Sequence, residues 1–329
     1  MYSITLRSKF MTITLSILLI LTISGFASSK EIMTKKIAYI VSDIDIPFWD
    51  IMKRGIQNES ENRGYTLSVY SAGNDRENEL NSVVKAMKEK VDGIIVSPTS
   101  SAACATILKL TNNADIPVVI SDIGTDGGNY VSYISSNNLD GAYKLGKVLT
   151  SKMISLGWEN RSVGIIAIPQ KRLNGQARTA GFLKALDEAG IKSCGLKQQA
   201  TFSEKETYSF CMELIRQNTD VGAIWLQGSD KYRGALRAIA DSPKKNNQIL
   251  LLTFDAEPEF IEMIRNEEIL GAAMQQPYLM GQKAVRALDK HLRGDDVKKN
   301  AMIPIMAISK ENIAQKIPLI RKYVLGLEE

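Results

Sequence analysis

The chain has 329 residues, enough for about two domains of ordinary size. Its apolar fraction of 44% and charged fraction of 23% are those of an ordinary globular protein, and its net charge of +5 is modest for the length. No block of Lys and Arg stands out, so neither nucleic acid nor an anionic membrane surface is the implied partner.

Residues 1–27 read as a signal peptide for export. Arg7 and Lys9 form a short basic region, Phe10 to Ile23 is apolar and uncharged, and Gly25 and Ala27 sit at the −3 and −1 positions of a cut after Ala27. The apolar run is shorter than the ~20 residues that a membrane span needs. No cysteine stands near the cut to carry a lipid. Loss of Arg7 and Lys9 takes the side-chain charge from +5 to +3.

From Lys36 onward, short β-branched runs alternate with amphipathic stretches. Strands are expected at Lys36–Val41, Thr66–Tyr70, Gly93–Val96, Pro117–Ile120 and Tyr130–Ile134, with helices at Phe48–Arg63, Arg76–Glu89, Ala102–Asn112 and Asp140–Leu156. The scheme then repeats. Strands are expected at Ser162–Ile168, Lys197–Thr201, Ala223–Leu226, Ile249–Phe254 and Gly271–Met274. The matching helices are Gln176–Ala189, Glu204–Gln217, Tyr232–Asp241, Glu257–Arg265 and Tyr278–Arg293. Strands separated by helices imply parallel sheets covered on both faces, and two runs imply two sheets. Gly64, Gly190 and Gly294 each follow a helical stretch, where a left-handed cap is wanted.

Ligands of open parallel sheets bind beyond the carboxyl ends of the strands. Those ends read Ser42 to Trp49, Ser97-Pro98-Thr99, Ser121-Asp122, Pro169 to Gln176, Phe202, Gln227 to Asp230, Asp255-Ala256-Glu257 and Gln275-Gln276-Pro277. One polar residue after a strand is usually a turn or an N-cap. So many strand ends of one polar or aromatic character, in two sheets, point to a cleft. The first end joins Asp43 and Asp45 to Phe48 and Trp49, a mixture that a core avoids and a ligand site uses.

Enzyme signatures are missing: there is no G-x-S-x-G, H-E-x-x-H or Walker loop. The single histidine, His291, lies in a basic helical stretch without ligand-like neighbours, so no metal, cofactor or catalysis is expected. Cys104, Cys194 and Cys211 fit small buried hydrophobes; Cys194 and Cys211 also flank a strand-to-helix connection across which a disulfide is conceivable.

The stretches IVSDIDIPFW (Ile40–Trp49), VDGIIVSPTS (Val91–Ser100), IPVVISD (Ile116–Asp122), YISSNNLDGAYKLG (Tyr133–Gly146), NGQARTAGF (Asn174–Phe182), GALRAI (Gly234–Ile239), TFDAEPE (Thr253–Glu259) and MQQP (Met274–Pro277) stand in the order and spacing of one family. In them the chain resembles the periplasmic sugar-binding proteins of the ribose/galactose type, the type I periplasmic binding proteins that serve ABC importers. The resemblance runs from about Lys35 to the C-terminus.

It implies an α/β fold of two Rossmann-like lobes with parallel sheets, joined by a three-segment hinge and closing on a ligand. The lobes would be 30–136 plus 276–306 and 137–275 plus 307–329, with crossings near Ser135–Asn137, Gln275–Pro277 and Met306–Ala307. It also implies a monosaccharide or related polyol as ligand, bound by a monomer in the periplasm of a Gram-negative bacterium. The partner would be an importer permease or, alternatively, a membrane sensor kinase or chemoreceptor. Repressors of the same fold carry an N-terminal helix-turn-helix where this chain has its export signal, so DNA is not expected.

By the same match Phe48, Trp49 and Phe202 are sandwich rings for the C–H faces of a sugar, and Asp122, Asp255 and Gln275 take its hydroxyls. Ser42 and Asp45 of the first loop, and Gln176, complete the candidate set. The departures are as specific. Ile123 and Gln176 stand where family members carry ligand-binding arginines, and Ile46 and Gly228 stand where they carry asparagines. Arg178 matches a neighbouring arginine of structural character. The polar ring of the ribose binders is therefore rebuilt here.

Overall fold

A computed structural model describes residues 34–243 and 248–327; the expected signal peptide lies outside the described residues. From Lys35 onward the chain forms one compact unit. It runs β1 (Lys36–Val41), α1 (Pro47–Glu61), β2 (Thr66–Ser71), α2 (Arg76–Lys88), β3 (Gly93–Ser97), α3 (Ser101–Asn112), β4 (Val118–Ser121), β5 (Ser132–Ser136) and α4 (Asn138–Ser155). There follow β6 (Ser162–Ala167), α5 (Leu173–Glu188), β7 (Ser193–Gln198), α6 (Glu204–Gln217), β8 (Val221–Leu226), α7 (Tyr232–Asp241), β9 (Leu250–Phe254), α8 (Phe260–Arg265) and β10 (Gly271–Met274). The last elements are α9 (Pro277–Leu292), β11 (Asn300–Ile303), β12 (Met306–Ser309), α10 (Ile313–Leu319) and a π-helical turn, Ile320–Val324.

Two six-stranded sheets result, ordered β11-β5-β4-β3-β1-β2 and β12-β10-β9-β8-β6-β7. The chain passes between them after β5, after β10 and again between β11 and β12. The first sheet is parallel throughout. The second is parallel except at its edge, where β12 runs antiparallel to β10. Strand periodicity explains the layers. Ile37, Tyr39 and Val41 of β1 join the apolar cluster under α1 and α9, while Ala38 and Ile40 join the cluster under α2 and α3. β6 divides likewise: Val163, Ile165 and Ala167 face α4 and α5, and Ile166 faces α6 and α7. β3 and β8, central in each sheet, are buried along their whole length.

Four of the ten α-helices among the described residues begin where a side chain can accept an otherwise unpaired backbone N–H. Asp75 accepts from Asn78, Ser100 from Ala103, Asn137 from Asp140 and Ser203 from Glu206. α1 starts instead on Pro47, whose missing N–H costs nothing there. α5 has Arg172 at this place and no side-chain cap.

Close helix crossings need glycine. A Cβ on Gly55 of α1 would lie 2.2 Å from the carbonyl oxygen of Tyr278, and one on Gly281 of α9 would lie 2.3 Å from that of Met52. Between α4 and α5 the same approach depends on Gly181, whose Cβ would lie 2.0 Å from the Leu139 carbonyl oxygen. Around the α1–α9 contact, buried Glu59 pairs with Arg63 and Arg286, each at 2.8 Å, and buried Asp289 accepts from Arg63 and, at 2.6 Å, from the Tyr65 hydroxyl. The C-terminal segment touches both lobes. Ile320, Val324 and Leu325 pack in the second lobe, while Arg54 of α1 donates to the Leu325 and Gly326 carbonyls at 2.8 Å each.

Two sequence expectations are corrected and one open alternative is decided. β7 begins at Ser193 rather than Lys197, because this half-exposed edge strand carries little apolar signal. β11 and β12 were not expected: Pro304 divides their apolar run into two four-residue strands. Cys194 and Cys211 are not joined by a disulfide; Cys211 is a core residue against the second sheet.

Gly55→Ala should destabilise the protein by roughly 1–3 kcal/mol or more, since backbone, not a flexible side chain, blocks the added methyl. Urea unfolding of the variant against the parent measures this; an unchanged midpoint would show that α1 and α9 separate freely.

Candidate functional site

Residues from the carboxyl ends of both sheets line one cleft. The first lobe contributes Ile46, Phe48 and Trp49 from the start of α1 and Asp122 from the end of β4. The second contributes Arg172, Asn174 and Arg178 around the start of α5, Phe202 after β7, Asp230 after β8, Asp255 after β9 and Gln275 after β10. The cleft is tight, about 60 Å³. A wider groove of about 490 Å³, between Asn112 and Asp296, lies at the amino ends of β4 and β5, the wrong end of a parallel sheet for ligand binding.

The two aspartates sit at matching points. Asp122 follows β4, Asp255 follows β9, and these strands hold the same place in the two sheet orders. Each backbone N–H bonds to the neighbouring strand's chain, Asp122 to Ile134 and Asp255 to Ala273. Each has left-handed backbone, φ 68° and 67°. Asp adopts this region more readily than most residues, but at a cost, and such strain gathers where side chains must be aimed. Phe202 is left-handed as well, φ 50°, which is rarer for a bulky residue. Its turn is held by Glu206, whose carboxylate accepts from the backbone N–H groups of Ala200, Thr201 and Phe202 at 2.9–3.2 Å.

Asp122 is 2% exposed. Oδ2 accepts from Asn174 Nδ2 at 3.1 Å, across the two lobes, and Oδ1 has no hydrogen bond. Burial pushes its pKa from 3.8 up to about 6, the nearby Arg178 opposing and Asp255 adding to the rise. Asp255 Oδ1 accepts from Gln275 Nε2 at 2.6 Å, and Oδ2 lies 3.6 Å from Arg178 Nη1. Burial raises the pKa of this acid too, against the pull of Arg178. Since a carboxylate only accepts, the Gln275 amide must turn its nitrogen to Asp255, and its oxygen is then buried without a partner.

Arg178 is committed to the protein. Nε donates to Asn138 Oδ1 at 2.8 Å, Nη1 to the Gln227 carbonyl at 2.6 Å, and the guanidinium stacks 3.9 Å from the Phe254 ring centre. Phe48 and Trp49 meet edge to face, with centroids 4.9 Å apart. Trp49 belongs to the first lobe's core as well as to the cleft wall, while Phe48 is half-buried.

Of the nine candidates, Phe48, Trp49, Asp122, Phe202, Asp255 and Gln275 are brought together here. Ser42, Asp45 and Gln176 are not among the lining residues. Ser42 is buried behind the cleft and donates to Asn74 Oδ1 at 2.6 Å. Asp45 is exposed. Gln176 is exposed and donates to the Gln170 carbonyl at 2.9 Å, tying down the turn before α5. Ile123 is fully buried in the first lobe's core. Sequence reasoning missed Arg172 and Asn174, although they lie in the stretch after β6 that it marked. The usable signal was an arginine at a helix N-cap, where the helix dipole disfavours a cation.

Because its folded pKa is raised, Asp122 contributes stability that is full below the unfolded value of 3.8 and lost as pH rises through about 6. Asp122→Asn removes that loss and tolerates the left-handed backbone. In urea unfolding of ligand-free protein it should add up to about 2–3 kcal/mol near pH 7.5 and almost nothing near pH 4. A variant less stable at both pH values would mean that the ionised carboxylate is a net stabiliser.

Residues 37–296 match the model of the periplasmic binding protein domain family. The ribose import binding protein RbsB of Haemophilus influenzae is 28% identical over 92% of this chain and 99% of its own length. RbsB of Bacillus subtilis is 26% identical over 80% of this chain and 84% of its own. Among solved structures, a carbohydrate transporter solute binding protein from Agrobacterium radiobacter, in complex with D-arabinose, superposes with a TM-score of 0.81 at 20% identity, covering 89% of this chain and all of the other. With two six-stranded lobes around one cleft and a family match over most of its length, the chain belongs to the periplasmic binding proteins and has their solute-binding role.

Proposed function

We propose that the cleft binds a neutral monosaccharide or cyclic polyol and that the protein presents it in the periplasm to an ABC importer. The observation that carries this reading is the pair of buried, unpartnered acceptors, Asp122 Oδ1 from one lobe and Gln275 Oε1 from the other, between aromatic walls. A buried acceptor without a donor costs about 1–3 kcal/mol. Ligand hydroxyls would remove that cost at both places, while Phe48, Trp49 and Phe202 cover the C–H faces.

Charge balance supports a neutral ligand. Asp122, Asp230 and Asp255 line the cleft against Arg172 and Arg178, and the second arginine is occupied by Asn138, Gln227 and Asp255. An added carboxylate or phosphate would meet three acids. Export through the segment 1–27 rests on its sequence pattern, and delivery to a permease rests on the kinship: the RbsB relatives are named as import binding proteins, which favours transport over sensing.

The test is a thermal-shift and calorimetry panel of D-ribose, D-allose, D-arabinose and myo-inositol, with glucuronate as the charged control. At least one neutral member should stabilise the protein, by about 2.7 kcal/mol at a hundredfold excess over Kd. Asp255→Asn should then weaken that ligand about tenfold or more. A panel in which only glucuronate binds would overturn the reading.

A further inference from the structure

Arg172 stands where helix chemistry does not want it, at the N-cap of α5 with no capping bond, yet it is only 8% exposed. Its partners lie on the other lobe. Nε donates to the Thr99 carbonyl, after β3, at 3.2 Å, and Nη2 donates to Asn74 Oδ1, after β2, at 3.4 Å. On its own lobe the guanidinium lies 5.7 Å from the Phe202 ring centre. Among the described residues no carboxylate comes within 4.0 Å to form an ion pair with it.

The receiving side is built for it. Fully buried Glu79 takes the backbone N–H of Thr99 at 2.6 Å and its hydroxyl at 3.0 Å, which fixes the turn that presents the Thr99 carbonyl. Asn74 is left-handed, φ 58°, and its amide nitrogen is held by Asp43 Oδ2 at 2.9 Å, which leaves Oδ1 to accept from Ser42 and Arg172. Two acceptors of the first lobe are thus aimed at one guanidinium of the second.

We infer that Arg172 is a clasp that holds the cleft shut across its mouth and, from the same position, donates to an oxygen of the ligand. The ligand contact rests on the sugar-binding reading; the clasp does not. A buried cation hydrogen-bonded only to neutral groups at 3.2 and 3.4 Å, with Asp122 and Glu79 attracting it without an ion pair, is weakly held, because opening returns it to water. Such a clasp closes the empty protein only marginally. A ligand oxygen that accepts from the unused Nη1 hydrogens adds a bond available only in the closed form, and so shifts the balance further toward closure. The positions that the resemblance assigns to arginine, 123 and 176, point into the core and outward, so the cleft takes its ligand-facing guanidinium from 172 instead.

Small-angle scattering of protein without added sugar decides the clasp. The wild type should be compact and Arg172→Gln measurably expanded, with a melting temperature within about 4 °C of the parent. Asn74→Gly keeps the left-handed backbone while removing one acceptor, and should expand the molecule in the same direction. Calorimetry with D-ribose, D-allose, D-arabinose and myo-inositol decides the contact. Whichever sugar the wild type binds should bind Arg172→Gln about tenfold more weakly or worse, and Arg172→Lys should not restore it, since lysine lacks the planar fork. Equal radii for wild type and Arg172→Gln overturn the clasp, and equal affinities overturn the contact. If no panel sugar binds the wild type, the sugar-binding reading and the contact fall together, while the scattering comparison still decides the clasp.

Discussion

Two carboxylates are held in left-handed backbone at the same point of two sheets, and much of the cleft is arranged around their cost. Asp122 and Asp255 each leave a parallel strand, bond their N–H to the next strand and turn into low-dielectric surroundings that raise their pKa. A buried carboxylate needs donors or a cation nearby. Asn174 and Gln275 supply donors, and Arg178 supplies the charge while anchored to Asn138, Gln227 and Phe254. One oxygen on Asp122 and one on Gln275 remain buried without a hydrogen bond, which is the observation behind the proposed ligand contacts.

That correspondence extends over both lobes. The sheet orders correspond position by position, β11-β5-β4-β3-β1-β2 to β12-β10-β9-β8-β6-β7, and differ only in the direction of the edge strands β11 and β12. The helix after β5 packs in the second lobe and the helix after β10 packs in the first, so each lobe borrows a helix from the other half of the chain. Both borrowed helices approach their partners over glycine, Gly281 against Met52 and Gly146 against Ala185. Even the exits of β2 and β7 match, with left-handed Asn74 and Phe202, and Arg172 touches both. A hinge of this kind gives two similar halves different chemical shares: two rings and one acid on one side, guanidinium groups, amides, a third ring and two acids on the other.

The alternation of buried strands and capped helices was legible in the sequence because it is periodic. β3 and β8 read as unbroken apolar runs, and every strand end that supplies the cleft carried a polar or aromatic residue. What escaped had no period to read. β11 and β12 are four residues each on either side of Pro304, and β7 alternates polar residues along a half-exposed edge. Within the site, position after a strand predicted proximity to the cleft but not direction. Gln176 lies one helical turn beyond Arg172 and turns outward, whereas Asn174 and Arg178 turn in. Only the packing of α5 against α4, set by Gly181 and Gly146, decides that rotation.

The same rotation separates this cleft from the pattern its kinship suggests. An arginine at 123 would have to leave a fully buried core position, and one at 176 would have to reach back past Gln170. In this chain neither Ile123 nor Gln176 lines the cleft. Moving the guanidinium to the N-cap of α5 places it at the seam instead of the floor, where it can bond the opposite lobe and the ligand at once. Specificity and closure then act through a single side chain. The physical consequence is that a ligand too small to reach Arg172 gains the contacts of Asp122, Asp255 and Gln275 without adding to the closed form's cross-lobe bonds, so discrimination by size appears as a difference in closure as well as in contact.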